Sequence, residues 1–335
     1  MHVWQISSFG IDFLEFAERP EPLLGPGKVM VRGHAVSLNF RDLMMVKGLY
    51  NPKLKLPRIP CSDGAGEVVA VGDGVTQWKR GDRVAGIFMQ NWIDGPATPA
   101  KVKGALGGDV DGMLAEYVVL DENGLVAIPE HLSYQEAATL PCAAVTAWNA
   151  LRAGEVKPGG TVLIQGTGGV SLFALQFARL KGAKVLGISG SHDKLSRAYE
   201  LGLDAGVNYN DVPDWDRWVI EQTGEGVDLV VEVGGLGTLP RSLRALRMGG
   251  AIAQVGVLTG ATPAEPLPIP AILHKQARLH GIYVGSRQDF MDMNRAIALT
   301  QLRPVGEDFP WSHAREVLAK MEEGSHFGKL VMSIA

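Results

Sequence analysis

The strand-like run TVLIQ at 161–165 passes without a spacer into Gly166-Thr167-Gly168-Gly169-Val170-Ser171 and then into the apolar helical stretch SLFALQFARL. Strand, glycine turn and helix in that order are what a dinucleotide fingerprint requires of its surroundings. The glycines let the backbone turn sharply and approach a pyrophosphate, whose charge meets the free N–H groups and positive dipole end of the helix. Ser171 takes the place of the usual third Gly or Ala and is still small enough to keep helix and strand close.

The same alternation continues downstream. Strand candidates at 184–189, 205–208, 228–233, 251–257 and 278–284 are separated by helical stretches. With 161–165 they make six strands, and the reading is an α/β, doubly wound parallel Rossmann sheet. Upstream, up to about residue 128, the runs KVMVRGHAVSL, AGEVVAVGDGV, GDRVAGIF and LAEYVVL are short, β-branched and broken by Gly and Pro, which predicts a small, mostly antiparallel β domain. The last fifty residues return to helices (FMDMNRAIALTQL, SHAREVLAKMEEG) and a terminal strand, GKLVMSIA. ATPAEPLPIPA at 261–271 reads as a Pro-rich loop suited to the edge of a cofactor site.

Composition narrows the function classes. At 335 residues and 46% hydrophobic, the chain can build two packed domains. Its formal charge of -4 and the lack of a long Lys/Arg run speak against nucleic acid. No apolar run approaches a membrane span, and MHVWQISSFGIDFLEF has no leader-like pattern, so the expectation is a cytoplasmic protein. Two cysteines, Cys61 and Cys142, leave no disulfide framework and no Cys-rich zinc lobe.

An NAD enzyme ends its second strand on an acidic residue that accepts from the ribose 2′-hydroxyl. Here that position is Ser189, followed by Ser191 and Lys194, with Tyr209 after the third strand. Small donors and a cation suit a 2′-phosphate, which favours NADPH over NADH. Asp193 is the counterargument, and its place suggests the start of the following helix.

Taken with GPGKVMVRGHAVSLNFRDL, PCSDGAGEVVAVGDGV, KRGDRVAG, CAAVTAW, KLSRAYELGLDAGVNY, VVEVGG, AIAQVGV and HFGKLVMS, the turn GTGGVS makes the chain resemble a medium-chain dehydrogenase/reductase over essentially its whole length, and more narrowly the zinc-independent, quinone-oxidoreductase-like branch. The resemblance implies a GroES-like domain from 1–128, completed by 288–335, with a nucleotide-binding domain at 129–287. It also implies that Val255, Gly256, Val257, Val284, Gly285 and Ser286 line the nicotinamide and that Lys329 reaches the cofactor phosphates, with Arg287 a weaker choice. A homodimer through the apolar edge RLHGIYVG is implied as well.

Zinc-dependent relatives place Cys, His and Cys where this chain matches Asn39, Ser62 and Cys142. One thiol cannot hold zinc, the stretch 88–112 has no cysteine, and no two of the eight histidines stand at ligand spacing, so no metal is expected. Without a metal to polarise the carbonyl, the favoured acceptor is a quinone or another conjugated carbonyl, whose negative charge is delocalised. Asn39 and Tyr50 are the expected donors, with Asp42 orienting them, and Ser62 is read as filling space. The loop at 88–112, with Trp92 as a wall, is expected to shape substrate entry. Two other readings stay open: an NAD(P)-dependent alcohol or aldehyde oxidoreductase, and a non-catalytic NADPH-binding regulatory module.

Overall fold

The structure, a computed structural model, describes residues 1–260 and 265–334. Contacts divide the chain into two compact units, Met1–Val145 with Gly285–Ala335, and Thr146–Val284. Residues 261–264 of the Pro-rich loop lie outside the described residues.

The first unit begins with a hairpin of β1 (His2–Ile6) and β2 (Leu14–Glu18). It continues through β3 (Lys28–Ser37), α1 (Phe40–Val46), β4 (Asp63–Val71), β5 (Arg83–Gly86), β6 (Tyr117–Asp121), β7 (Leu125–Ala127) and α2 (Tyr134–Ala138). Val29 and Val31 on β3 and Val68 on β4 face a core shared with Val3, Ile6, Leu114, Leu330 and Met332. Apolar residues at every second position of β3 thus bury one face of the strand.

Helix α3 (Val145–Ala153) leads into the second unit. Here β8 (Thr161–Gln165), α4 (Gly169–Leu180), β9 (Lys184–Ser189), α5 (His192–Glu200), β10 (Ala205–Asn208), α6 (Trp215–Thr223), β11 (Val227–Glu232), α7 (Leu239–Ala245), β12 (Leu246–Gln254), α8 (Ile269–His274) and β13 (Arg278–Gly281) alternate. The six strands are all parallel and lie in the order β10-β9-β8-β11-β12-β13. This is the doubly wound order, and its direction reverses between β8 and β11, where such sheets take ligands at their carboxyl ends. Two strands end earlier than the sequence predicts, and β12 also begins earlier, at Leu246. β12 stops at Gln254 because the N–H groups of Val255 and Gly256 both turn back onto the Glu232 carbonyl, at 2.8 and 3.1 Å. β13 stops at Gly281, and Val284 is left-handed with φ 56°.

The chain then returns to the first unit through α9 (Arg287–Thr300), β14 (Gly306–Pro310), α10 (Ala314–Glu323) and β15 (Lys329–Ser333). The large sheet there runs β14-β15-β3-β4-β5-β7, with β6 also on β3, and is antiparallel except for β14 against β15. Contacts give 129–145 to this unit rather than to the second: α2 packs on β3, β4 and β15, and Gln135 Nε2 donates to Ser333 Oγ at 3.0 Å.

Candidate active site

In the nucleotide unit, the carboxyl ends of β8 and β11 meet in a buried polar network. Glu232 is fully buried; its Oε1 accepts from the N–H groups of Gly234 and Gly235 at 2.8 and 2.9 Å and from Thr238 Oγ1 at 2.5 Å. Its Oε2 accepts from Gln165 Nε2 at 2.8 Å and from the Ser242 hydroxyl. Gln165 Oε1 in turn accepts from the N–H groups of Val233 and Gly234. Ser171 Oγ donates to the Gln165 carbonyl at 2.6 Å, so the residue that departs from the fingerprint ties α4 to the end of β8. The network holds the two strand ends on either side of the reversal at fixed distance, and neither Glu232 nor Gln165 stood out in the sequence.

The glycine turn itself is open. Gly166 has φ 67°, and a Cβ built on Gly166 or Gly168 meets nothing within 4 Å. Gly168 caps α4 without any side chain over its N–H groups, leaving them for an anion. Thr167 is buried, while Gly169 and Val170 form the first turn of α4 beside it.

At the end of β9, Ser189 is buried and its Oγ accepts from the Ser191 N–H at 3.3 Å. Ser191 caps α5 by accepting from the Lys194 N–H, so Lys194 sits in the first helical turn. Tyr209 follows β10, its N–H on the Ser189 carbonyl at 3.0 Å and its ring against Gly190. Ser189, Ser191, Lys194 and Tyr209 thus gather at one strand end. Asp193 lies within the first turn of α5, as the sequence suggested.

Val255 and Gly256 present their backbone at the end of β12, and Val257 is exposed. Val284 closes the same unit, with its carbonyl accepting from Asn149 Nδ2 at 2.7 Å. Gly285 and Ser286 belong to the first unit, where Ser286 caps α9 through Asp289. Arg287 is spent in the antiparallel unit, on the Leu125 carbonyl at 2.8 Å and on Gln77 Oε1 at 3.0 Å.

In the first unit, one chain of hydrogen bonds joins residues from four separate segments. Lys329 Nζ on β15 donates to Asn39 Oδ1 at 2.6 Å and to the Leu38 carbonyl. Asn39 Nδ2 donates to Ser62 Oγ at 3.3 Å, Ser62 Oγ to Asp63 Oδ1 at 2.7 Å, and the Cys142 N–H to Asp63 Oδ2 at 3.0 Å. Asp42 sits beneath, accepting from the N–H groups of Asn39 at 2.8 Å and Ser62 at 3.3 Å. Asn39 is the N-cap of α1 and Asp42 its third residue, and the two form a capping box in which the Asp42 carboxylate accepts from the Asn39 N–H.

Asp42, Ser62 and Asp63 are fully buried, and Lys329 is 3% exposed. Burial pushes the Asp42 carboxyl up to about 6. Asp63 is also raised by burial, a rise that the nearby Lys329 charge opposes. Burial, and after it the Asp63 charge, pushes the Cys142 thiol well up. Cys61 is held at φ 71° under the end of the 88–112 loop: its carbonyl accepts from Met113 N–H at 2.9 Å, and a Cβ on Gly112 would fall 2.2 Å from the same oxygen.

Tyr50 stays half exposed on the turn after α1, with its ring 5.5 Å from the Arg41 guanidinium, and is not part of the Asn39 chain. The guanidinium also lies over Phe88 at 4.7 Å and donates to the Leu106 carbonyl at 2.9 Å. Trp92 is buried within its own loop, Nε1 on the Gly95 carbonyl at 2.9 Å, and the carbonyls of Trp92 and Ile93 receive the first N–H groups of α9.

Comparison with known proteins agrees with both units. Residues 25–130 match the family model described as alcohol dehydrogenase GroES-like domain, and residues 169–299 the one described as zinc-binding dehydrogenase. A zinc-type alcohol dehydrogenase-like protein of Schizosaccharomyces pombe is 43% identical over 97% of this chain and 96% of its own. The acryloyl-coenzyme A reductase of Metallosphaera sedula is 29% identical over 87% of each. A crystal structure described as an NAD-dependent alcohol dehydrogenase superposes with a TM-score of 0.91 and 34% identity over 100% of both chains.

Proposed function

Because the chain belongs to the medium-chain dehydrogenase/reductase superfamily, and is an alcohol dehydrogenase-like oxidoreductase, we propose that it is an NADPH-dependent enzyme that works without a catalytic zinc and delivers hydride to a quinone or another conjugated carbonyl. The observation that carries this reading is the Lys329 ammonium on Asn39 Oδ1.

A catalytic zinc takes three good ligands, usually thiolate, imidazole or carboxylate, and keeps one position open. At the matching places stand an amide, a hydroxyl and a thiol. The amide oxygen already receives a cation, the Ser62 hydroxyl is spent between Asn39 and Asp63, and burial holds the Cys142 thiol away from the thiolate that binds metal. These residues do not fit the ion.

They do fit a hydrogen-bonding site for a carbonyl oxygen. Asn39 Nδ2 carries two hydrogens and spends one on Ser62. We assign the other to the substrate oxygen, which it would stabilise as charge builds there, an effect worth about 3 kcal/mol for one well-placed donor. In a conjugated acceptor that charge is spread, so a single donor suffices where an isolated carbonyl needs more. The Metallosphaera relative, an acryloyl-coenzyme A reductase, is named for an acceptor of this conjugated kind.

The nucleotide unit fits a dinucleotide at the open Gly166–Gly168 turn, and when bound its nicotinamide supplies the hydride. Gly166, Thr167, Gly168, Gly169 and Val170 would hold the pyrophosphate, and the backbone of Val255, Gly256 and Val257 with that of Val284, Gly285 and Ser286 would line the nicotinamide. Ser189, Ser191, Lys194 and Tyr209 offer donors and a cation with no carboxylate at the strand end, which supports NADPH.

A second reading, alcohol or aldehyde oxidoreduction, is favoured by the names of the yeast relative and the superposed structure, the latter NAD-dependent. The test is turnover of the purified protein with NADPH and NADH against quinones, enones, aldehydes and alcohols, with its metal content measured on the same sample. Fast reduction of conjugated acceptors by metal-free protein is expected. Alcohol oxidation lost on chelation overturns the proposal. Nucleotide binding without turnover on any member of the panel would leave the regulatory module.

A further inference from the structure

An amide can only serve as donor to the substrate if its nitrogen, not its oxygen, faces the reacting carbonyl. In Asn39 both ends are fixed by charge. An ammonium has three donors and no acceptor, so Lys329 admits only the Oδ1 end on its side. At the other end the Ser62 hydroxyl gives its proton to the Asp63 carboxylate, and its oxygen is left to accept from Asn39 Nδ2. Cation at one end and carboxylate at the other therefore impose a single direction on every bond of the chain.

The backbone puts Lys329 there. Strand β15 lies antiparallel to β3 with Val331 opposite Ser37, and the Leu38 N–H continues the ladder onto the Leu330 carbonyl at 2.9 Å. One further step along each strand brings Lys329 to Asn39. Its ammonium is spent on the Leu38 carbonyl and on Asn39, and at 3% exposure it is not a surface cation.

We infer that Lys329 is a positioning residue for hydride transfer, which locks the Asn39 amide with its second Nδ2–H available to the substrate oxygen and, by drawing electron density toward Oδ1, strengthens that donor. Bonds in such a chain polarise one another. The inference rests on the reading of Asn39 as the donor, and it differs from the contact with cofactor phosphates that the family resemblance implies for Lys329.

The test compares the full-length protein with K329M, N39A and the double variant, using NADPH and the quinone or enone that wild type reduces fastest. NADPH dissociation constants are read by nucleotide fluorescence without acceptor, and kcat and KM at saturating NADPH. K329M is expected to lose at least tenfold in kcat with its NADPH dissociation constant within twofold of wild type. N39A is expected to lose about as much, and the double variant no more than the worse single one, because both act through one amide. A tenfold weaker NADPH affinity with kcat intact overturns the inference in favour of a phosphate contact, and multiplicative losses in the double variant overturn it too. Should K329M not fold, K329Q keeps a neutral donor of similar reach; a K329Q kcat within twofold of wild type overturns the inference, and a loss of threefold or more supports it. Wild-type inertness toward every carbonyl acceptor overturns the functional reading and the inference together, whereas an active wild type with an unaffected K329M overturns the inference alone.

Discussion

Asp42 and Ser189 are single side chains whose chemistry can be checked in isolation. With its carboxyl raised to about 6 by burial, Asp42 in the native protein keeps a proton that the unfolded chain, near 3.9, has already released. Between roughly pH 4 and 6 the folded state therefore binds more protons, and this residue's contribution to stability is present below that window and falls as pH rises through it, by on the order of 3 kcal/mol. D42N should flatten this slope in denaturant unfolding measured across the window, while losing stability at every pH because its amide nitrogen meets the N–H of Asn39 or Ser62. At Ser189, a carboxylate would repel a 2′-phosphate and accept from a 2′-hydroxyl. S189D is expected to weaken NADPH binding at least tenfold and to leave NADH binding equal or tighter, read by the two dissociation constants. Asn39 and Asp42 were legible as a pair from SLNFRD. The meaning of Lys329 was not, because a lysine 290 positions away carries no local sign of the amide it will meet.

At the scale of elements, β8 stands at the bounds the sequence predicts and α4 begins only two residues early, at Gly169, since an apolar run, glycines and a helical period are all local signals. The ends of β12 and β13 are set instead by bonds to a neighbouring strand and by a left-handed valine, which no local pattern encodes. Glu232 and Gln165 escaped notice as ordinary strand-end polar residues. The available sign was a charge closing the otherwise apolar run of a parallel strand, where both faces are covered and an ionisable group needs partners. Five donors converge on Glu232: two backbone N–H groups, two hydroxyls and an amide. E232L strands them in the interior and is expected to cost about 3 kcal/mol or more, visible as a lowered midpoint in denaturant unfolding. NADPH should restore part of that loss, because a ligand that binds only the folded unit stabilises it.

For the whole molecule, the change from antiparallel to parallel architecture was legible in the spacing of strands and helices, and the return of the chain to the first sheet only in the family resemblance. The boundary at 145 rather than 128 depends on α2 packing under β3, β4 and β15, a tertiary choice that a helical pattern cannot reveal. Strand β13 ends the parallel sheet with its outer edge unpaired among the described residues, and Leu279 and Tyr283 are exposed beside it. Such an edge invites another strand. The expected mass in sedimentation is that of two chains, and L279K, which sets a charge on the edge, should shift it to one. A wild-type mass of one chain would remove the dimer.

The order of segments in that first sheet also has a consequence for synthesis. Asn39, Asp42 and Asp63 leave the ribosome long before Lys329, which follows Asn39 by 290 residues. Until that late strand docks, neither acidic group has the ammonium that opposes its protonation in the finished fold. The order of synthesis therefore runs opposite to the order of need: the polar chain from Lys329 to Asp63 closes only when the returning strand docks beside β3.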